Sequence, residues 1–350
     1  MNTPQSSEGA DSFLKPAERP RWREVAPDIW SLAGWSHNVS QEAIAASLQD
    51  QPPWIEPSLL YDPRGSRLFE KITRLPEYYL TRTEESILTR YAEAIIETAS
   101  ASHIVELGAG FSVKTRTLLE EQLRQQERAG FTPIDVSLTA LRASRDAYQA
   151  ALPKLRFRGL HGDSQAALAA VSNEKPRLVP FLGSSIGNYS GREMLDFWRN
   201  LKSSMRPGDF LLLGVDRVKD PALIDAAYND SRGVTETFIR NALQHLNAQL
   251  GADFNSRDFE YRARYRSSRQ RVELELITRR PVVARCRTPA TTIEWKTGTS
   301  LLVEVSRKFE VEPLVRQADC FGLNCRARFE DKRQWFSLLL FECQAQPDHS

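Results

Sequence analysis

Short apolar runs recur through the first two thirds of the chain. They are IVEL at 104–107, TPID at 132–135, LRFRGL before Asp163, LVPFL at 178–182 and FLLLGVD at 210–216. Each is bounded by small or polar residues and followed by apolar positions at helical spacing. Short continuous runs of this kind predict strands buried on both faces. Strands alternating with helices predict a parallel, right-handed sheet, and ligands then belong at the strands' carboxyl ends. Gly108, Asp135, Asp163, Asn188 and Asp216 all fall at such ends.

The pattern differs on either side of this stretch. Residues 1–20 are polar and contain Pro, Ser and Gly, so a loose tail is expected, with packed structure from about Trp30. Residues 41–48 read as a short helix stopped by Pro52 and Pro53. Tyr61-Asp62-Pro63-Arg64-Gly65 reads as a turn. Thr81 and Glu84 resemble a capping box for a helix over 84–99. Beyond 220, helical spacing runs to Gly251, and alternating strands fill 259–285 and 293–309. A helix at about 309–318 and two apolar segments then suit an antiparallel hairpin. Residues 221–307 therefore look inserted between the fifth strand and the end of the sheet.

The sharpest local signal is HIVELGAGFSVKT at 103–115, a strand feeding a glycine turn and a helix. Glycines let the backbone approach a ligand closely, and the helix N-terminus favours anions. The third glycine of the dinucleotide fingerprint is missing, which argues against NAD or FAD. The acidic Glu106 before the turn is a form met in class I S-adenosylmethionine (SAM) methyltransferases. Asp135 can accept the hydroxyls of a ribose or serve as a helix N-terminal charge. Asn188 can both donate and accept. Tyr61, Tyr78 and Tyr79 can each be aromatic packing alone.

Composition removes other classes. The chain has 350 residues, 41% hydrophobic and 26% charged, with a formal net charge of +2. That is an ordinary globular balance. The basic stretch RARYRSSRQR at 262–271 reads as an exposed strand face, and no nucleic-acid partner is expected. No apolar run is long enough for a membrane span, and no apolar signal region opens the chain. The four cysteines lack zinc spacing, and Cys320 and Cys325 read as reduced core thiols. A cytoplasmic monomer without metal is the expectation.

Several blocks taken together carry a resemblance: YDPRGSRLFEKITRLPEYYLTRTE, ELGAGFSVKTRTLL, DVS, GD, FLGSSIGN and EVSRKF. In this order, from about Trp54 to the C-terminus, the chain resembles the histidine Nα-methyltransferases of ergothioneine biosynthesis. The resemblance implies a class I SAM methyltransferase sheet with a second, α+β substrate-binding domain built from two separated segments. The expected division is a tail over 1–26, a substrate domain over 27–81 and 219–307, and a SAM domain over 82–218 and 308–350. It implies SAM contacts at Gly108, Lys114, Asp135, Asp163 and Ser164. Asp135 would take the ribose hydroxyls, Asp163 or its neighbour the adenine edge, and Lys114 the methionine carboxylate, unless Lys114 is a solvated helix charge. It implies histidine contacts at Tyr61, Tyr78, Asn188, Tyr228, Glu304 and Ser306. Tyr78 and Asn188 would hold the amino and carboxylate end and Tyr228 the carboxylate; Glu304 and Ser306 would read the imidazole N–H. The implied reaction is trimethylation of the α-amino group of L-histidine, the alternative being another amino acid or small aromatic amine. No catalytic base is identified. Ala109, Leu80 and Leu274 depart from the family pattern, where Ser, Pro and Met are common.

Overall fold

A computed structural model describes residues 14–15, 17–18, 21–35, 39–171 and 176–345. In chain order the sheet lobe opens with β1 (Trp22–Ala26) and β2 (Ile29–Leu32). The chain then leaves for α1 (Gln41–Gln49) and α2 (Pro63–Ile72) and returns through α3 (Tyr79–Ala99). Next come β3 (His103–Leu107), α4 (Arg116–Gln125), β4 (Ala129–Asp135), α5 (Leu138–Ala151), β5 (Leu155–Phe157), β6 (Gly159–His161) and α6 (Ser164–Ala170). They are followed by β7 (Arg177–Phe181), α7 (Gly191–Ser204) and β8 (Phe210–Asp216).

Helices α8 (Pro221–Tyr228) and α9 (Val234–Leu250) then lead to β9 (Phe259–Arg266), β10 (Arg271–Thr278), β11 (Val282–Cys286), β12 (Thr291–Trp295) and β13 (Ser300–Arg307). The chain rejoins the first lobe through α10 (Val311–Asp319), β14 (Leu323–Glu330) and β15 (Phe336–Cys343).

The main sheet runs β1-β2-β6-β4-β3-β7-β8-β15-β14, with β5 beside β4. Strands β2, β6, β4, β3, β7 and β8 are mutually parallel, whereas β15 is antiparallel to both β8 and β14. This is the doubly wound order, with its switch point beside the first strand of the series, closed by a reversed hairpin. The strands read as apolar runs because both faces are covered. Every residue of β7 and β8 is buried.

The second lobe packs α1, α2, α8 and α9 against the antiparallel sheet β13-β10-β9 and the β11–β12 hairpin. Its core joins Ile44, Leu48, Leu60 and Ile72 to Phe238, Leu243, Leu274 and Leu301, residues more than 150 positions apart. Two chain segments thus form one apolar core. The sheet lobe has separate clusters on its two faces.

Several local expectations are corrected. The expected tail over 1–26 falls mostly outside the described residues (1–13, 16, 19 and 20). The described part is ordered: Leu14 is 1% exposed, and β1 pairs with β2 around the turn at Pro27-Asp28. Trp22 and Trp30 bury there, and β2 joins β6, so residues 27–32 belong to the sheet lobe and not to the 27–81 segment. Tyr61–Gly65 is not a free turn. Asp62 caps α2, accepting from the Gly65 N–H at 2.6 Å, and Pro63 occupies the first helical position. Helix α3 begins at Tyr79, so Thr81 lies inside it and Glu84 is no cap. The cysteine expectation also shifts: Cys320 is exposed and Cys325 half-buried.

Candidate active site

The glycine turn behaves as its sequence demands. Gly108 and Gly110 have φ of +59° and +52°, a region costly for any residue with a Cβ. A Cβ on Gly110 would meet no described atom within 4 Å, so the turn faces open space. Asp135, at the end of β4 and 8% exposed, clips this turn. Its Oδ2 accepts from the Gly110 N–H and its Oδ1 from the Ser137 N–H, both at 2.7 Å. Asp163 caps α6 through two backbone N–H groups, at 3.0 and 2.9 Å, with Ser164 as the first helical residue. Glu106 is buried under the turn and accepts from the Thr115 hydroxyl; burial pushes its carboxyl up to about 7.

Lys114 is ion-paired with Glu84, whose side chain is fully buried. Glu84 also receives the Gly183 N–H at 2.8 and 3.0 Å. The carboxylate mistaken for a helix cap therefore ties α3 to the loop after β7 and to the glycine-turn segment.

The second half of the site lies where the lobes meet. Asn188 ends a short 3-10 turn over Ser185–Asn188. A Cβ at the preceding Gly187 would lie 3.0 Å from the Arg307 carbonyl oxygen, so glycine lets this turn press against β13. Asn188 there donates to Glu304 at 3.1 Å. Burial raises the Glu304 carboxyl to about 7, against the Lys308 charge and hydrogen bonds from Tyr61 and Asn188. Tyr61 packs edge-on against Phe69 and Phe238, and Tyr78 against Tyr228 with ring centroids 6.1 Å apart. The Tyr228 and Ser306 hydroxyls are 2.8 Å apart. The six residues expected to touch histidine form two contacting trios, Tyr61–Glu304–Asn188 and Tyr78–Tyr228–Ser306, bridged by Phe69 and drawn from the segment before α2, the start of α3, the turn after β7, α8 and β13.

Four neighbours escaped sequence reasoning. Lys308 is wholly buried; its Nζ lies 2.7 Å from Asp216 Oδ2, 2.7 Å from Tyr228 Oη and 2.9 Å from Ser306 Oγ. Tyr79 donates to Asp216 at 2.9 and 3.0 Å, and Lys219 pairs with Asp216 and donates to Tyr79 at 2.8 Å. Burial lowers the Lys219 ammonium to about 8. Glu84 is the fourth. For Lys308 a signal existed: the alternation that pairs Glu304 with Ser306 extends to it. Burial lifts the Tyr78 and Tyr228 hydroxyls well above the ordinary phenol value.

A doubly wound sheet closed by a reversed hairpin, with a glycine turn that faces open space and an acidic strand end that clips it, defines a class I SAM-dependent methyltransferase. An acidic residue at the end of β4, beside a glycine turn that opens to free space, fits the ribose diol of that cofactor. The chain belongs to the SAM-dependent histidine-specific methyltransferase family, whose model matches residues 40–343. It is 38% identical over 297 residues to histidine N-alpha-methyltransferase of Mycolicibacterium smegmatis, covering 85% of this chain and 92% of that protein. It is 36% identical over 316 residues to the Mycobacterium tuberculosis protein of the same name, covering 90% and 98%. Ergothioneine biosynthesis protein 1 of Neurospora crassa matches over 211 residues at 35% identity, covering 58% of this chain and 24% of that protein. No helix among the described residues is long and apolar enough to cross a membrane.

Proposed function

We propose that this chain methylates the α-amino nitrogen of L-histidine three times, giving the histidine betaine used in ergothioneine biosynthesis. The observation that carries this reading is Glu304: a half-buried carboxylate braced by Asn188, on the strand face that also bears Ser306. A carboxylate there matches a ring N–H and penalises an apolar ring. The names of the two mycobacterial relatives support it.

SAM supplies a methyl group on a sulfonium centre. Gly108, Lys114, Asp135, Asp163 and Ser164 would hold it, and the lobe bearing Tyr61, Tyr78, Tyr228, Glu304 and Ser306 would hold the amino acid with Asn188. The chain's contribution is placement: a positioned amine needs no covalent intermediate, and orientation supplies much of the rate. The α-ammonium of a free amino acid is almost wholly protonated at pH 7, so the reactive neutral amine is a small fraction of the substrate and a proton must leave before attack. Tyr78 and Asn188 would orient the amine, and no residue is assigned as its base. We assign residues 39–78 and 221–307 to the substrate lobe and the main sheet with its helices to the cofactor. The protein acts on a free small molecule, as a cytoplasmic monomer.

Incubation with L-histidine and excess SAM, followed by mass spectrometry, is expected to give the trimethylated betaine by way of mono- and dimethyl forms. Ring methylation, or reaction of another amine in place of histidine, overturns the assignment.

A further inference from the structure

The buried contacts of Lys308 have a consequence for how the pocket presents its hydrogens. An ammonium has three protons and accepts nothing. Lys308 directs one each to Asp216 Oδ2, Tyr228 Oη and Ser306 Oγ, at 2.7, 2.7 and 2.9 Å. Both hydroxyl oxygens are therefore already acceptors. The two hydroxyls lie 2.8 Å apart, and only one of their two protons can occupy that line. Among the described residues no acceptor takes the other. The cluster must export one hydroxyl proton.

Chemistry decides which. A phenol is a far stronger acid than an aliphatic hydroxyl, hence the better donor and poorer acceptor. Tyr228 then donates to Ser306. Ser306 fills its two lone pairs from Lys308 and Tyr228, and its own proton is left pointing outward. Asp216 anchors the lysine, held in turn by Tyr79 and Lys219.

We propose that Lys308 is a positioning residue that fixes the direction of the Tyr228–Ser306 hydrogen bond, so that the pocket offers the substrate ring one hydroxyl donor beside the Glu304 acceptor. This rests on the reading that Glu304 and Ser306 face the ring. It changes what Ser306 does there: it gives a proton to a bare ring nitrogen and does not receive a ring N–H. A neutral imidazole carries one N–H and one bare nitrogen, which this pair matches. Indole and pyrrole carry the N–H alone and leave the Ser306 donor buried without a partner, which is costly.

The test compares kcat/KM for histidine with that for an analogue whose ring is pyrrole, keeping one N–H and replacing the bare nitrogen by CH. Calorimetric titration with SAM reports that each variant is folded. Lys308→Met is expected to lower the histidine preference at least about tenfold, chiefly through KM, because the donor is no longer fixed. Ser306→Ala should lower it similarly. Tyr228→Phe should depress both substrates but keep the ratio within about threefold, since Ser306 retains its lysine and its free proton. A collapsed ratio in Tyr228→Phe means that the exported proton is the tyrosine's and overturns the proposal, even if Lys308→Met does not fold. An unchanged ratio in folded Lys308→Met, with a lowered ratio in Ser306→Ala, overturns the role of Lys308 alone. An unchanged ratio in Ser306→Ala removes the ring reading itself, and the proposal with it.

Discussion

The two halves of the site are built by different means. At the glycine turn, backbone does most of the work: two positive-φ glycines and the N–H groups of Gly110 and Ser137 gathered on one carboxylate. Its members lie at the ends of neighbouring strands, each beside a recognisable local pattern. At the lobe junction, side chains do the work. Tyr61, Tyr78, Asn188, Tyr228, Glu304, Ser306 and Lys308 come from distant segments and meet through hydrogen bonds and ring contacts. A backbone cradle is general to a cofactor; a polar side-chain network can be specific to one ring. If so, substitutions in the two halves should separate cofactor affinity from substrate choice.

The largest effect is expected from Asp135→Ala. It removes an acceptor for the ribose and also releases the Gly110 N–H that shapes the turn. Each hydrogen bond to a charged group is worth about 1.5–3 kcal/mol, so SAM affinity should fall by at least about tenfold in a folded protein. Titration calorimetry checks this, and unchanged affinity removes Asp135 from the cofactor half.

Glu304→Ala should do the reverse. Histidine kcat/KM should drop by at least about tenfold, roughly 1.4 kcal/mol of transition-state binding, with SAM affinity unchanged. An apolar aromatic amino acid should lose less or even gain, because the carboxylate that excluded it is gone. The histidine-to-tryptophan ratio is the quantity to follow. A general stability defect would depress both substrates together, and an unchanged ratio in a folded variant would make Glu304 a purely structural strand residue.

A smaller effect is expected from pH. Burial holds the Glu304 carboxyl at about 7, so its acceptor form is present above that pH and is lost as pH falls through it. The KM for histidine should therefore rise severalfold between pH 8 and pH 6, while SAM affinity stays nearly flat. Histidine's own ring titrates near pH 6.5 and adds to the rise. In Glu304→Gln the part due to the enzyme disappears and only the substrate's own contribution remains. An identical pH profile in both proteins would mean that Glu304 does not titrate in this range.

Five parallel strands and the closing hairpin were legible from the sequence, because strands buried on both faces must be apolar and the turns between them need glycine or capping residues; the strand expected before Asp163 is two, β5 and β6. The glycine turn, Asp135 and the closing hairpin follow from local pattern. Residues 22–32 were misplaced because a five-residue edge strand such as β1, with three exposed positions, looks like polar coil. Glu84 was misplaced because its spacing from Thr81 fits a cap, whereas its partners Gly183 and Lys114 lie far off in sequence.

The sequence by itself determined the alternation of strands and helices, the family, and which polar residues could form a site. Only the tertiary structure decided that Lys308 is a buried partner of Asp216, Tyr228 and Ser306 and not a solvated strand-end charge. Local pattern records burial and backbone needs residue by residue. The direction of a hydrogen bond depends on what every neighbour gives and takes, and here those neighbours come from β8, α8 and the end of β13.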